Sequence, residues 1–172
     1  STGIEEHDFI HGAKIVIQTL RGGSFRPNTL FLTIGEDPRK DDNISKLVSI
    51  ASANELSVLI LRQHTRVAFG MQNDVNVWLR DKSPNWHLTI LIALQIQINW
   101  DGKINLITVA ENEDSEKRLH KFLNRLSDQT RLPSLTEFHV LVGDFDSALK
   151  EAPRADIQIM GISDELPFEM MR

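Results

Sequence analysis

The sequence predicts an α/β protein with a largely parallel sheet and flanking helices. Three observations predict it. Short apolar runs of strand length recur at 29–34 (TLFLTI), 57–61 (SVLIL), 104–109 (INLITV), 137–142 (EFHVLV) and 156–162 (DIQIMGI). Segments with apolar residues at helical spacing fall between them, which is the pattern of strand–helix–strand units. The chain's 172 residues, 41% hydrophobic and 25% charged, also match an ordinary folded domain rather than a disordered one.

Residues 8–20 carry Phe9, Ile10, Ala13, Val16, Ile17 and Leu20 on one helical face, and Gly22-Gly23 supplies a stop. Arg26-Pro27-Asn28 leads into the first strand, and Gly35-Glu36-Asp37-Pro38 breaks it. Asp42 or Asn43 can cap a helix bearing Ile44, Leu47, Val48 and Ala51, ahead of the second strand. Val75, Val77 and Leu79 alternate as a third strand over 75–79. The stretch between it and 57–61 holds Gly70 but no convincing helix, whereas a parallel crossover commonly contains one. An antiparallel or edge placement of 75–79 is therefore expected at least as readily as a parallel one.

Ser83-Pro84-Asn85 opens a helix over 86–99. Its second half, Leu94-Gln95-Ile96-Gln97-Ile98-Asn99, alternates as a strand would. Helix is still expected, because the Asp101-Gly102 turn and the strand at 104–109 follow directly. Asp114 or Ser115 starts the next helix, with Leu119, Phe122, Leu123 and Leu126 on one face and charge on the other. A short helix at 144–150 precedes the last strand. The expected organisation is an N-terminal helix and connection over 1–24, then a single α/β domain over 25–172.

Composition excludes several function classes. Nineteen basic against 24 acidic residues give a net charge of −5, unsuited to binding a phosphate backbone. The absence of cysteine excludes disulfides, thiolate nucleophiles and Cys-based metal sites. Ser1-Thr2-Gly3-Ile4-Glu5-Glu6 has no basic, apolar signal pattern and reads like the cut end of a longer chain or a trimmed tag. The most apolar stretch, Trp86–Trp100, is shorter than the roughly 20 residues a spanning helix needs, and polar residues interrupt it.

No catalytic set emerges. His7 and His11 stand at i and i+4, as in zinc-binding helices, but Asp8 replaces the Glu that serves there as general base. No third ligand is apparent, so a solvated helix face is the expected role and no metal site is assigned. The first and fourth strands end in Gly35-Glu36-Asp37-Pro38 and Ala110-Glu111-Asn112-Glu113-Asp114, acidic where a nucleotide's phosphates would sit. Asp144 or Asp146 is expected to cap a helix rather than to act as a catalytic carboxylate. Trp78, Trp86 and Trp100 lie among apolar neighbours, as core or protein-interface aromatics do. The strongest candidate surface is therefore the surplus apolar face of 86–100, with Trp86, Leu88, Leu91, Ile92 and Trp100 as interface residues.

Two family resemblances follow. Ala155-Asp156-Ile157-Gln158-Ile159-Met160-Gly161 is similar to the last strand of universal stress proteins, as is the α/β order before it. The ATP-binding branch of that family continues from the glycine into a glycine-spaced loop, but Gly161 is the last glycine here. Arg26-Pro27-Asn28-Thr29-Leu30-Phe31-Leu32 resembles a strand entry in the cytoplasmic C-terminal domain of cation-chloride cotransporters. Asp74-Val75-Asn76-Val77-Trp78-Leu79 with Leu88-Thr89-Ile90-Leu91-Ile92, then Trp100 through Gly102-Lys103-Ile104, resemble further blocks in family order. Leu79 stands where the family has a second Trp, and Lys82-Ser83-Pro84 replaces its glycine-rich turn.

The second resemblance implies a universal-stress-like α/β fold on the cytoplasmic side of an electroneutral Na⁺, K⁺ and Cl⁻ symporter. It implies a regulatory and assembly domain without catalysis or cofactor, whose partners are a second copy and the parent's transmembrane part. The competing readings are a free-standing universal-stress-like nucleotide binder and a small metal-assisted hydrolase.

Overall fold

The computed structural model describes residues 6–24, 26–80, 85–130 and 132–162. The described residues divide into two compact units, one up to residue 65 and the other from residue 66.

The first unit contains helix α1 (Glu6–Gly22), strand β1 (Thr29–Ile34), helix α2 (Asp41–Ala53) and strand β2 (Ser57–Arg62). β1 and β2 pair in parallel, with Thr29 opposite Ser57 and Ile34 opposite Arg62. Ile17, Ile34, Leu47 and Ala51 are buried. The Arg21 guanidinium donates to Asn54 Oδ1 at 3.2 Å and Glu55 Oε2 at 3.3 Å, tying the end of α1 to the turn after α2. The expected cap at Asp42 or Asn43 is replaced by a 3-10 turn over Pro38–Lys40. Asp37 caps that turn by accepting from Arg39 N, so the chain is already turning when α2 begins.

The second unit contains β3 (Val75–Trp78), α3 (Trp86–Trp100), β4 (Ile104–Ala110), α4 (Glu113–Gln129), β5 (Thr136–Val142), α5 (Phe145–Glu151) and β6 (Ile157–Met160). Its four strands are all parallel, in the order β5-β4-β3-β6. The α/β class with a largely parallel sheet holds. The expected edge or antiparallel placement of 75–79 does not: β3 is central, with β4 and β6 in parallel on its two sides. The reason is that β2 belongs to a different sheet, so the helix-free stretch before β3 is not a crossover within one. Later strands supply the neighbours through α3, α4 and α5. All four residues of β3 are buried, as expected of a parallel strand covered on both faces.

One face of this sheet carries the main core. Val75, Val77, Leu79, Ile104 and Leu106 pack with Ile90 and Ala93 of α3 and Leu123 and Leu126 of α4. On the other face Trp78 and Ile107 meet Ala148 of α5. That face also buries Asn76 and Asn105, which are hydrogen-bonded as buried amides require. Asn105 Nδ2 donates to Asn76 Oδ1 at 2.8 Å, and Asn76 Nδ2 to the Pro153 carbonyl at 2.7 Å. Trp78 Nε1 donates to Gln158 Oε1 at 2.8 Å, and its ring meets Phe145 edge-on.

Candidate functional site

α3 forms despite the strand-like alternation of its second half. Asp101 ends it in the left-handed conformation (φ 55°, ψ 30°), its N–H donating to the Gln97 carbonyl, and Gly102 follows. A side chain at Gly102 would overlap the Asn73 backbone. The turn therefore fixes where β4 begins, and a continuous strand through 94–99 is excluded.

The helix turns Ile90 and Ala93 into the core, with Trp86, Leu94, Ile96 and Trp100 partly buried beside them. Its exposed side carries His87, Leu91, Gln95, Ile98 and Asn99. Leu91 is 55% and Ile98 70% exposed. An open groove of about 460 Å³ is lined by Leu91, Ile92, Gln95, Ile96, Asn99 and Trp100. None of the 15 residues of α3 is Asp, Glu, Lys or Arg. Among the described residues that line it, Gln95 and Asn99 bring neutral amides and none is charged, so the groove offers apolar area and hydrogen bonds.

Of the five residues expected at an interface, Leu91, Ile92 and Trp100 line the groove. Trp86 and Leu88 are half-buried and do not line it. Trp86 packs on the core and stacks on the His87 ring, and Trp100 lies 6.2 Å from the Phe69 ring. Ile98, part of the surplus apolar set of 86–100, lies on the exposed face together with Gln95 and Asn99. Their signal was present in the helical spacing from Leu91 through Gln95 to Ile98.

The polar residues at the strand ends form local caps and an ion pair. Asp37 accepts from the Arg39 side chain in two contacts of 2.8 Å, which holds its pKa at about 2. Asn112 caps α4 in a reciprocal box with Ser115. Of the two carboxylates at α5, Asp144 is the cap, accepting from Ser147 N at 2.9 Å, and this contact lowers its pKa. The paired histidines both fall in α1, where His11 is exposed and the His7 side chain lies outside the described residues. Among the described residues no helix is long and apolar enough to cross a membrane.

Two family models match the chain. Residues 1–69 match the first part, and residues 70–172 the second part, of the prokaryotic cation-chloride cotransporter C-terminal domain. A solved structure, the cytoplasmic domain of a prokaryotic cation chloride cotransporter, is similar at 25% identity and a TM-score of 0.81. The match covers 96% of this chain and 64% of that one, so the chain spans just under two thirds of its relative's length. No curated protein matches. Fold, ordered sequence blocks and both family models agree, and the chain belongs to the prokaryotic cation-chloride cotransporter C-terminal domain family.

Proposed function

We propose that this chain is a non-catalytic regulatory and assembly module on the cytoplasmic side of a transporter moving Na⁺, K⁺ and Cl⁻. It works by self-association and by contact with the parent's transmembrane part.

The observation that carries this reading is the outer face of α3, which has no Asp, Glu, Lys or Arg. Two-fold contacts place the same patch against itself, so a charged patch meets its own sign whereas a neutral one does not. Apolar Leu91 and Ile98, flanked by the amides of Gln95 and Asn99, are suited to that use. Trp86, Leu88, Ile92 and Trp100 support the contact from behind or at its margin.

Light scattering across a concentration series tests it. A dimer is expected, dissociating in Leu91→Asp and Ile98→Asp with little change in melting temperature. A monomer at every concentration would overturn self-association, and a dimer unmoved by both substitutions would relocate the interface. No cofactor is involved: calorimetry with ATP is expected to give no saturable heat, and micromolar binding would restore the nucleotide-binding reading.

A further inference from the structure

The stretch 67–74, which follows the boundary at 65/66, contains three residues with left-handed backbone angles: Ala68, Gly70 and Gln72 have φ of 50°, 58° and 58°. Left-handed residues at such spacing can turn neighbouring backbone N–H groups towards one centre, a concavity that binds anions. The Gly70 and Gln72 N–H groups close turns onto the Val67 and Phe69 carbonyls, and those of Met71, Asn73 and Asp74 face the centre. Here the centre is filled from within the same unit, by a carboxylate more than 80 residues further along the chain. Asp156 Oδ1 accepts from Met71 N at 2.9 Å, and Oδ2 from Asn73 N at 2.8 Å and Asp74 N at 3.3 Å.

The surroundings fit this use. A side chain at Gly70 would overlap the Asp156 carboxylate, so glycine gives both the left-handed turn and the room for the anion. The nearby Asp74 carboxylate is engaged with Lys103 N at 3.2 Å. The backbone N–H groups of Asp156 and Ile157 both donate to the Asp74 carbonyl, which sets β6 beside the start of β3. The N–H groups of Asn73 and Met71 hold the Asp156 pKa below the usual carboxylate range, so the occupant is an anion at neutral pH.

We propose that residues 71–74, turned by the left-handed residues before them, form a receptor for a small carboxylate, kept occupied by Asp156. This internal occupancy latches the entry of the second unit onto the N-terminal ends of β3 and β6. The proposal rests on backbone geometry and is independent of the transporter reading.

The test is removal of the ligand and its return as a free ion. Asp156→Ala deletes one carboxylate, and formate is that group as a separate molecule. Amide hydrogen exchange at Met71 and Asn73 is expected to rise about tenfold or more in the variant, because charge-assisted bonds are lost. Sodium formate is expected to restore protection and melting temperature, while sodium chloride at equal ionic strength does not. A loss of packing alone would not distinguish the two salts. Should Asp156→Ala fail to fold, Asp156→Asn keeps one acceptor oxygen, and exchange is expected to rise at either Met71 or Asn73 but not both. Unchanged exchange at both amides, or formate no better than chloride, would overturn the latch.

Discussion

Helices α3 and α4 pack on the same face of one sheet, yet they are built differently. α4 reads EDSEKRLHKFLNRLSDQ: it buries Leu119, Leu123 and Leu126 in one stripe and surrounds them with charge. α3 reads WHLTILIALQIQINW, buries Ile90 and Ala93, and leaves Leu91 and Ile98 in solvent. A helix on a sheet needs only one apolar stripe, and α4 shows that this stripe suffices here. The core therefore accounts for most of α3's apolar residues and leaves Leu91 and Ile98, whose exposure calls for an explanation other than folding of this unit.

The largest expected effect separates the two kinds of apolar residue. Leu123 is 1% exposed at the centre of the core, and Leu123→Ala is expected to cost about 3 kcal/mol through lost burial and the cavity left behind. Ile98→Ala on the outer face of α3 is expected to leave stability within about 0.5 kcal/mol, as surface changes generally do. Urea unfolding of both variants, well below any concentration at which the chain associates, decides the matter. Equal losses would mean that the outer face of α3 is part of the core and would remove the contrast.

The same contrast shows what can be read from sequence. α4 was legible because its apolar period and its polar surface carry the same message. α3 was placed correctly, but only through the Asp101-Gly102 turn and the strand after it, since Leu94 to Asn99 alternates with a period of two. Its interface residues were only partly legible, because on a helix apolar nearly all round the spacing does not say which side faces the sheet. The placement of β3 was left open by its connection to β2, because sheet membership is set by strands that come later in the chain. Asp156 was visible only as part of a family block. Its partners at 71–74 are backbone groups, and N–H donors leave no side-chain signature.

A smaller effect is expected at the helix starts. Asn112 accepts from Ser115 N at 2.9 Å, and the Ser115 side chain receives from Asn112 N at 3.0 Å. Asn112→Ala is expected to cost about 1 kcal/mol. Asn85, at the N-cap of α3, makes no side-chain capping bond, so Asn85→Ala is expected to change stability by no more than about 0.3 kcal/mol. Thermal melts of the two variants measure the difference. α3 would then be held by its packing and α4 by packing together with a cap, and equal losses would refute that distinction.

The smallest expected effect concerns ions, and it sharpens the comparison from the side of association. Salt screens exposed charges with a Debye length near 8 Å at physiological ionic strength. α3 has no Asp, Glu, Lys or Arg to screen, so a contact through Leu91 and Ile98 is expected to vary less than about twofold in Kd between low salt and 0.5 M. Stability responds to acid by a different route. Asp144 and Asp156 have folded pKa values held below the ordinary 3.8 by hydrogen bonds from Ser147 and from Asn73 and Met71 respectively. A depressed folded pKa means that the ionised group favours the folded chain above the ordinary value, and that this contribution disappears as pH falls through the folded value. Melting temperature is therefore expected to hold steady from neutrality down to the ordinary carboxylate range and to fall below it. Kd is expected to change little across the acid range in which the melting temperature falls, because among the described residues no carboxylate lines the α3 groove. Sedimentation velocity across salt and pH, run beside melting curves, separates the two responses. A Kd that weakens steeply with salt would place the contact on charged surface such as the outer face of α4, and α3 would lose its assigned role.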